Sequence, residues 1–169
     1  MDQRKPGKDT LDSQSPMASP FYVKRKDGKL RPCQDYQYLN DWTIKNAYPL
    51  PLISELIVKL AGTKYFSKLD VRWGYHNNQT KNGDQWKAAF KMDRELFELT
   101  VMFFGLCNSP VTFQGMMNSI FEDLIKGRIV IIYMGDIFLF AKTPAELEAN
   151  TKKILQQLQE NDLLARNDH

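Results

Sequence analysis

At 169 residues, 43% hydrophobic and 12% aromatic, the chain carries enough apolar side chain for one domain with a real core, which excludes a disordered tail. No apolar run reaches the ~18 residues of a membrane span, and the first residues lack the apolar centre of a signal peptide, so a cytoplasmic or particle-enclosed location is expected and secretion is not. The net charge of +3 is uneven: residues 1–31 hold eight Lys/Arg against four Asp/Glu, and the remainder hold fifteen against sixteen, a pattern of local polyanion contact or of a solvated basic loop.

Residues 1–19 are rich in Ser, Pro, Gly, Lys and Asp and read as an extended leader with nothing to bury. Phe21-Tyr22-Val23 and Leu30 then bracket Lys24-Arg25-Lys26-Asp27-Gly28-Lys29, where Asp-Gly signals a hairpin turn, giving a basic hairpin that runs on through Arg31. After Tyr48-Pro49-Leu50-Pro51, the apolar residues Leu52, Ile53, Leu56, Ile57 and Leu60 fall at helical spacing and predict a core helix ended by Ala61-Gly62. The run from Lys64 to Val71 is aromatic and β-branched, predicts a strand, and carries one acid, Asp70. A carboxylate on a half-buried strand is costly unless it meets a cation or hydrogen-bond donors.

Asn77 to Asp84 is polar and turn-rich, and Trp86 to Met92 with Glu95 to Phe103 predicts a strand pair across Asp93-Arg94. Ser109-Pro110 offers a helix cap and a first-turn proline for a long amphipathic helix to about Lys126, with Phe113, Met117, Ile120 and Leu124 on one face. Residues 129–141 form two apolar runs about Met134-Gly135, a hairpin in which Gly135 is expected to supply positive φ and Asp136 to leave the turn. Thr143-Pro144-Ala145-Glu146 has the form of a capping box, followed by a helix to about Gln159 whose buried face is Leu147, Ile154, Leu155 and Leu158. If the hairpin lies beside the Asp70 strand, two carboxylates from distant sequence converge, the oxygen-rich arrangement of Mg²⁺ sites for phosphoryl transfer. The two cysteines, Cys33 and Cys107, have no metal-binding spacing and suggest a reducing compartment.

Phe66-Ser67-Lys68-Leu69-Asp70 with Gly74-Tyr75-His76, Phe104-Gly105-Leu106 with Asn108-Ser109-Pro110 and Thr112-Phe113-Gln114, and Tyr133-Met134-Gly135-Asp136 together resemble the successive polymerase motifs of reverse transcriptases, nearest to the Ty3/gypsy class of long-terminal-repeat retrotransposons. The resemblance implies an α+β fold: a reverse-transcriptase-like palm, an antiparallel sheet backed by helices, with a partial fingers subdomain. By this likeness residues 20–165 are a fingers-palm fragment, with fingers at about 20–63 and 77–103 and palm at about 64–76 and 104–165. The thumb and RNase H regions of the polyprotein are expected partners that lie outside the chain.

It further implies an RNA-directed DNA polymerase, a nucleotidyltransferase acting on deoxynucleoside triphosphates along a primed RNA or DNA template, with two Mg²⁺ ions. Asp70 and Asp136 would be the catalytic carboxylates and, with the Val71 backbone carbonyl, the metal ligands. Arg25 and Arg31 would touch the nucleotide's phosphates, Tyr75 would exclude a ribose 2′-hydroxyl, Phe104 and Gly105 would line the same pocket, and Tyr133 and Met134 would lie at the primer terminus. One departure stands out: the family hairpin reads Tyr-x-Asp-Asp, and Gly135 occupies the place of its first Asp. Impaired activity follows from that reading. The alternative is a non-catalytic nucleic-acid-binding or assembly remnant that keeps the fold, and neither reading involves a membrane.

Overall fold

A computed structural model of the protein describes residues 20–24, 28–92 and 95–166; the leader, Arg25 and the Asp93-Arg94 turn lie outside them. In chain order the elements are β1 (Pro20–Lys24), β2 (Leu30–Gln34), α1 (Gln37–Trp42), α2 (Ile53–Lys59), β3 (Tyr65–Val71), β4 (Phe90–Met92), β5 (Glu95–Phe97), α3 (Ser109–Ile120), α4 (Glu122–Lys126), β6 (Val130–Tyr133), β7 (Asp136–Ala141), α5 (Pro144–Glu160) and β8 (Ala165–Arg166). Single 3₁₀ turns cover Gly74–Asn77 and Gln85–Ala88. The chain divides into two compact units, one built from residues up to 44 with 80–107, the other from 45–79 with the residues from 108 onward. Residues 45–63, read from sequence as fingers, therefore group with the palm strands.

In the first unit β1 and β2 form the expected antiparallel hairpin, Lys24 opposite Leu30, with Gly28 at φ 81 in the turn. Its small core gathers on Tyr36 and Ala88, with Leu39, Phe90, Leu99 and Leu106 packed against them. The Tyr36 hydroxyl donates to the Ala88 carbonyl at 2.9 Å, and burial pushes its pKa up to about 12. The strand expected from Trp86 to Met92 is shorter: Gln85–Ala88 turns as a 3₁₀ helix, and only Phe90–Met92 pairs with Glu95–Phe97. Phe90 stacks on Phe97 across that pair, ring centroids 5.7 Å apart.

The second unit is a four-stranded sheet in the order β6-β7-β3-β8, and each neighbouring pair is antiparallel. Helix α5 lies against β7 and β3, while α3 and α4 lie against β6. Met117, Phe121, Ile137, Leu139, Ile154 and Leu158 are almost wholly buried and form the core of this unit. Half of the expected capping box forms: Thr143 Oγ1 accepts from Glu146 N at 3.2 Å, but Glu146 Oε2 accepts from Lys142 N, one residue before the cap, at 2.9 Å.

Three sequence expectations change here. The helix expected to run unbroken to Lys126 is interrupted at Phe121, whose fully buried ring takes a non-helical backbone between α3 and α4. Leu155 of α5 is 47% exposed, because the buried stripe follows Asn150, Ile154 and Leu158. Helix α2 is not a core helix: Leu52 and Ile57 are each 62% exposed and Val58 73%.

Candidate active site

Strand β3 brings Asp70 to the sheet centre by pairing with β7 from Tyr65↔Ala141 to Asp70↔Asp136. Period-2 alternation then splits the strand: Leu69 and Val71 turn into the core, while Lys68 and Asp70 share the opposite face. Asp70 and Asp136 are direct cross-strand partners, so their Cα atoms are about 4.5–5.5 Å apart and their side chains point to one face. Two acids from distant sequence are thereby register partners. The ladder is closed beside them by Val71 N donating to Gly135 O at 2.8 Å.

The hairpin joining β6 to β7 is a two-residue turn, Tyr133 opposite Asp136. Its left-handed residue is Met134, at φ 55, and not Gly135 as the sequence suggested. A side chain at φ > 0 is strained, and neighbours must hold it there. Gln114, fully buried on α3, does so: its Oε1 accepts from Met134 N at 2.6 Å, and its Nε2 donates to Ile132 O at 3.1 Å and to Asn118 Oδ1 at 2.9 Å. Sequence reasoning gave Gln114 no role, although a glutamine between Phe113 and Met117 on an apolar helical face is a signal for a buried polar clamp.

Gly135 sits against the other acid. A Cβ built there would lie 3.4 Å from Asp70 Oδ1 and 4.0 Å from the Phe113 ring, an ordinary contact distance. Position 135 therefore has room for a Cβ, which would lie beside the Asp70 carboxylate. Phe113 also sets the approach of the turn after β3: a Cβ at Gly74 would stand 2.7 Å from its ring, which demands glycine there. Tyr75, next in the chain, meets Phe113 edge-on at 5.6 Å, and its hydroxyl lies 3.9 Å from Met134 Sδ. Burial raises the pKa of that hydroxyl and favours its neutral form.

Lys68 completes the face. Its ammonium lies 3.1 Å from Asp136 Oδ1 and 5.7 Å from the centroid of the Phe138 ring. Strand alternation alone puts Lys68 on the face of Asp70, two residues on, but its contact with Asp136 needs the β3–β7 register. Among the described residues no group of three or more His, Cys, Asp and Glu that could hold a metal ion comes together.

The remaining candidates belong to the first unit. Gly105, at φ 102, has the Gln34 carbonyl only 2.8 Å from where a Cβ would be, so backbone packing alone demands glycine there. Its carbonyl accepts from Asn40 Nδ2 at 2.7 Å. Phe104 is 37% exposed and lies edge-on to Phe103 at 6.0 Å. Arg31 is in β2 opposite Val23, and Arg25 lies outside the described residues.

A central antiparallel sheet with an acid on one strand and a Tyr-x-x-Asp hairpin beside it defines a polymerase palm, and the chain belongs to the reverse transcriptase (RNA-dependent DNA polymerase) family, whose model matches residues 23–168. It is 38% identical over 144 residues to the Transposon Tf2-3 polyprotein of Schizosaccharomyces pombe and 37% identical to the Tf2-7 polyprotein of the same organism. These alignments cover 85% of this chain and 11% of each polyprotein, so the chain spans about a tenth of the length of those relatives. The fold also matches solved foamy viral protease-reverse transcriptase structures: one in complex with double-stranded DNA at TM-score 0.81 and 21% identity, covering 88% of this chain and 26% of that one, and one in complex with an RNA/DNA hybrid at 0.79 and 20%, covering 88% and 20%.

Proposed function

We propose that this chain is the fingers-palm portion of a retrotransposon RNA-directed DNA polymerase that engages a primed RNA or DNA template but, as it stands, does not extend the primer. The observation that carries this is the cross-strand pair Asp70–Asp136 with Gly135 beside it: the palm is assembled, and one carboxylate position is a glycine whose Cβ would lie beside Asp70. Two-metal sites place ions about 3.5–4 Å apart and use shared carboxylates to hold them together. Asp70 and Asp136, with the Val71 carbonyl, suit one Mg²⁺ completed by water, since Mg²⁺ keeps water ligands readily. When bound, such ions activate the primer 3′-hydroxyl and neutralise the leaving pyrophosphate.

In the second unit Tyr75 stands beside Met134, where it would exclude a ribose 2′-hydroxyl, and Tyr133 and Met134 would seat the primer terminus. The family likeness separately assigns Arg25, Arg31, Phe104 and Gly105 of the first unit to the deoxynucleoside triphosphate. Thumb and RNase H regions of a longer polyprotein, and a cytoplasmic or virus-like-particle setting, belong to the same reading. The glycine also favours the second reading, a binding or assembly module without catalysis.

Primer extension on an RNA template with Mg²⁺, compared between this chain and Gly135→Asp, tests the proposal together with Mg²⁺ titration of both. The expected result is no extension by the parent, an unchanged far-ultraviolet circular dichroism spectrum in the variant, and Mg²⁺ binding about ten-fold or more tighter, the scale set by losing even an outer partner of a metal site. Equal Mg²⁺ affinity in the two proteins overturns the placement of residue 135 at the metal.

A further inference from the structure

The face that carries Asp70 and Asp136 also carries a cation of the protein's own. Lys68 and Asp70 alternate onto one face of β3, and Phe138 and Asp136 onto the matching face of β7, so the Lys68 side chain starts opposite Phe138 and leans one pair along to Asp136. Two contacts hold its ammonium there, the 3.1 Å ion pair with Asp136 Oδ1 and the Phe138 ring at 5.7 Å. Both members are part-exposed, the lysine side chain 44% and the aspartate 35%, so the pair is open to an ion arriving from solvent.

We propose that Lys68 is the resident counter-cation of Asp136, and that a divalent ion enters the site only by displacing its ammonium from that carboxylate. This rests on the metal reading above. A Mg²⁺ ion on an Asp136 oxygen sits ~2.0–2.1 Å from it. A lysine ammonium on that oxygen would be within a few ångströms of the dication, where like charges repel even through water. Lys68 must then swing away, which its flexible four-carbon stem permits. The loss of a carboxylate at 135 makes the competition sharper. Counting Asp70, Asp136 and Lys68 alone, and leaving aside Arg166, the register partner of Asp70 on β8, the formal charge is −1, and a carboxylate at 135 would make it −2.

Lys68→Met reaches −2 without adding a ligand oxygen, and Gly135→Asp reaches it with one, so the two variants separate charge from ligand number. Binding of Mn²⁺ to the full 169-residue chain, read by water-proton relaxation, and its competition by Mg²⁺ test the idea at one fixed low ionic strength. Lys68→Met and Lys68→Gln should each bind roughly three- to ten-fold tighter than the parent, given the modest strength of part-exposed charge pairs. Lys68→Arg, which keeps the charge, should stay within about two-fold of the parent. Unchanged or weaker binding in both neutral variants, with circular dichroism showing them folded, overturns the role of Lys68. If Asp136→Asn weakens binding while the Lys68 variants do nothing, the metal reading stands and only this inference falls; if Asp136→Asn binds like every other protein in the set, both fall.

Discussion

At the scale of single residues, the hairpin geometry depends on a side chain that is not on the hairpin. Gln114 satisfies Met134 N and Ile132 O from inside the core and so holds Met134 at φ 55. Replacing it with leucine keeps the volume and leaves both backbone groups buried without a partner. Urea denaturation should show Gln114→Leu about 1–3 kcal/mol less stable per orphaned group, the usual cost of an unsatisfied buried polar atom. Tyr36 provides a second test, through pH. Its folded pKa of about 12 lies above the unfolded value near 10, so the folded state holds the proton longer. That contribution is whole below pH 10 and is lost as the pH climbs toward 12. Denaturation midpoints followed from pH 8 to 12 should fall more steeply in the parent than in Tyr36→Phe, and parallel curves would contradict the shift.

Among elements, α2 and α3 have similar apolar periodicity and opposite fates. Leu52, Ile57 and Val58 on and beside α2 are largely exposed, whereas Phe113 and Met117 of α3 are buried against the sheet side of the same unit. The difference is one of distance from the sheet: α3 packs on β6, whereas Leu56 and Lys59 of α2 face Val130, Ile131 and Ile132 of β6 only across an open cavity. Ile57→Lys should therefore change stability by no more than about 0.5 kcal/mol, while Met117→Ala should cost about 2–5 kcal/mol. Thermal or urea unfolding of the two variants checks this, and a large loss for Ile57→Lys would show that α2 is covered in solution.

For the whole molecule, the uneven charge governs how it meets a polyanion. Eight of the 23 basic residues lie within the first 31 positions, and the rest of the chain is close to neutral. Nucleic-acid binding should then be weak, sequence-independent and salt-sensitive, each phosphate contact adding roughly 0.7–0.9 to the slope of log affinity against log salt. Fluorescence anisotropy with single- and double-stranded ligands should show that slope fall in an Arg25→Ala, Arg31→Ala variant. A slope near zero, or one indifferent to those substitutions, would remove Arg25 and Arg31 from phosphate contact.

The elements were legible in the sequence because they rest on local signals, an apolar strand with one acid, a two-residue turn between apolar runs and a helix cap at Thr143, whereas the meeting of Asp70 with Asp136 followed from the family resemblance and needed β3 to pair with β7. The absence of a carboxylate at 135 was equally plain, since it is a matter of identity and not of conformation. Tertiary structure alone decided which apolar faces were covered, as α2 and Leu155 show, because periodicity marks a face without supplying its partner. It also decided that Met134 and not Gly135 takes the left-handed backbone, since the hydrogen bonds that over-determine that turn come from Gln114, 20 residues away in the chain. The Lys68–Asp136 pair belongs to the same kind: it needs strand register, and register exists only once β3 and β7 have paired.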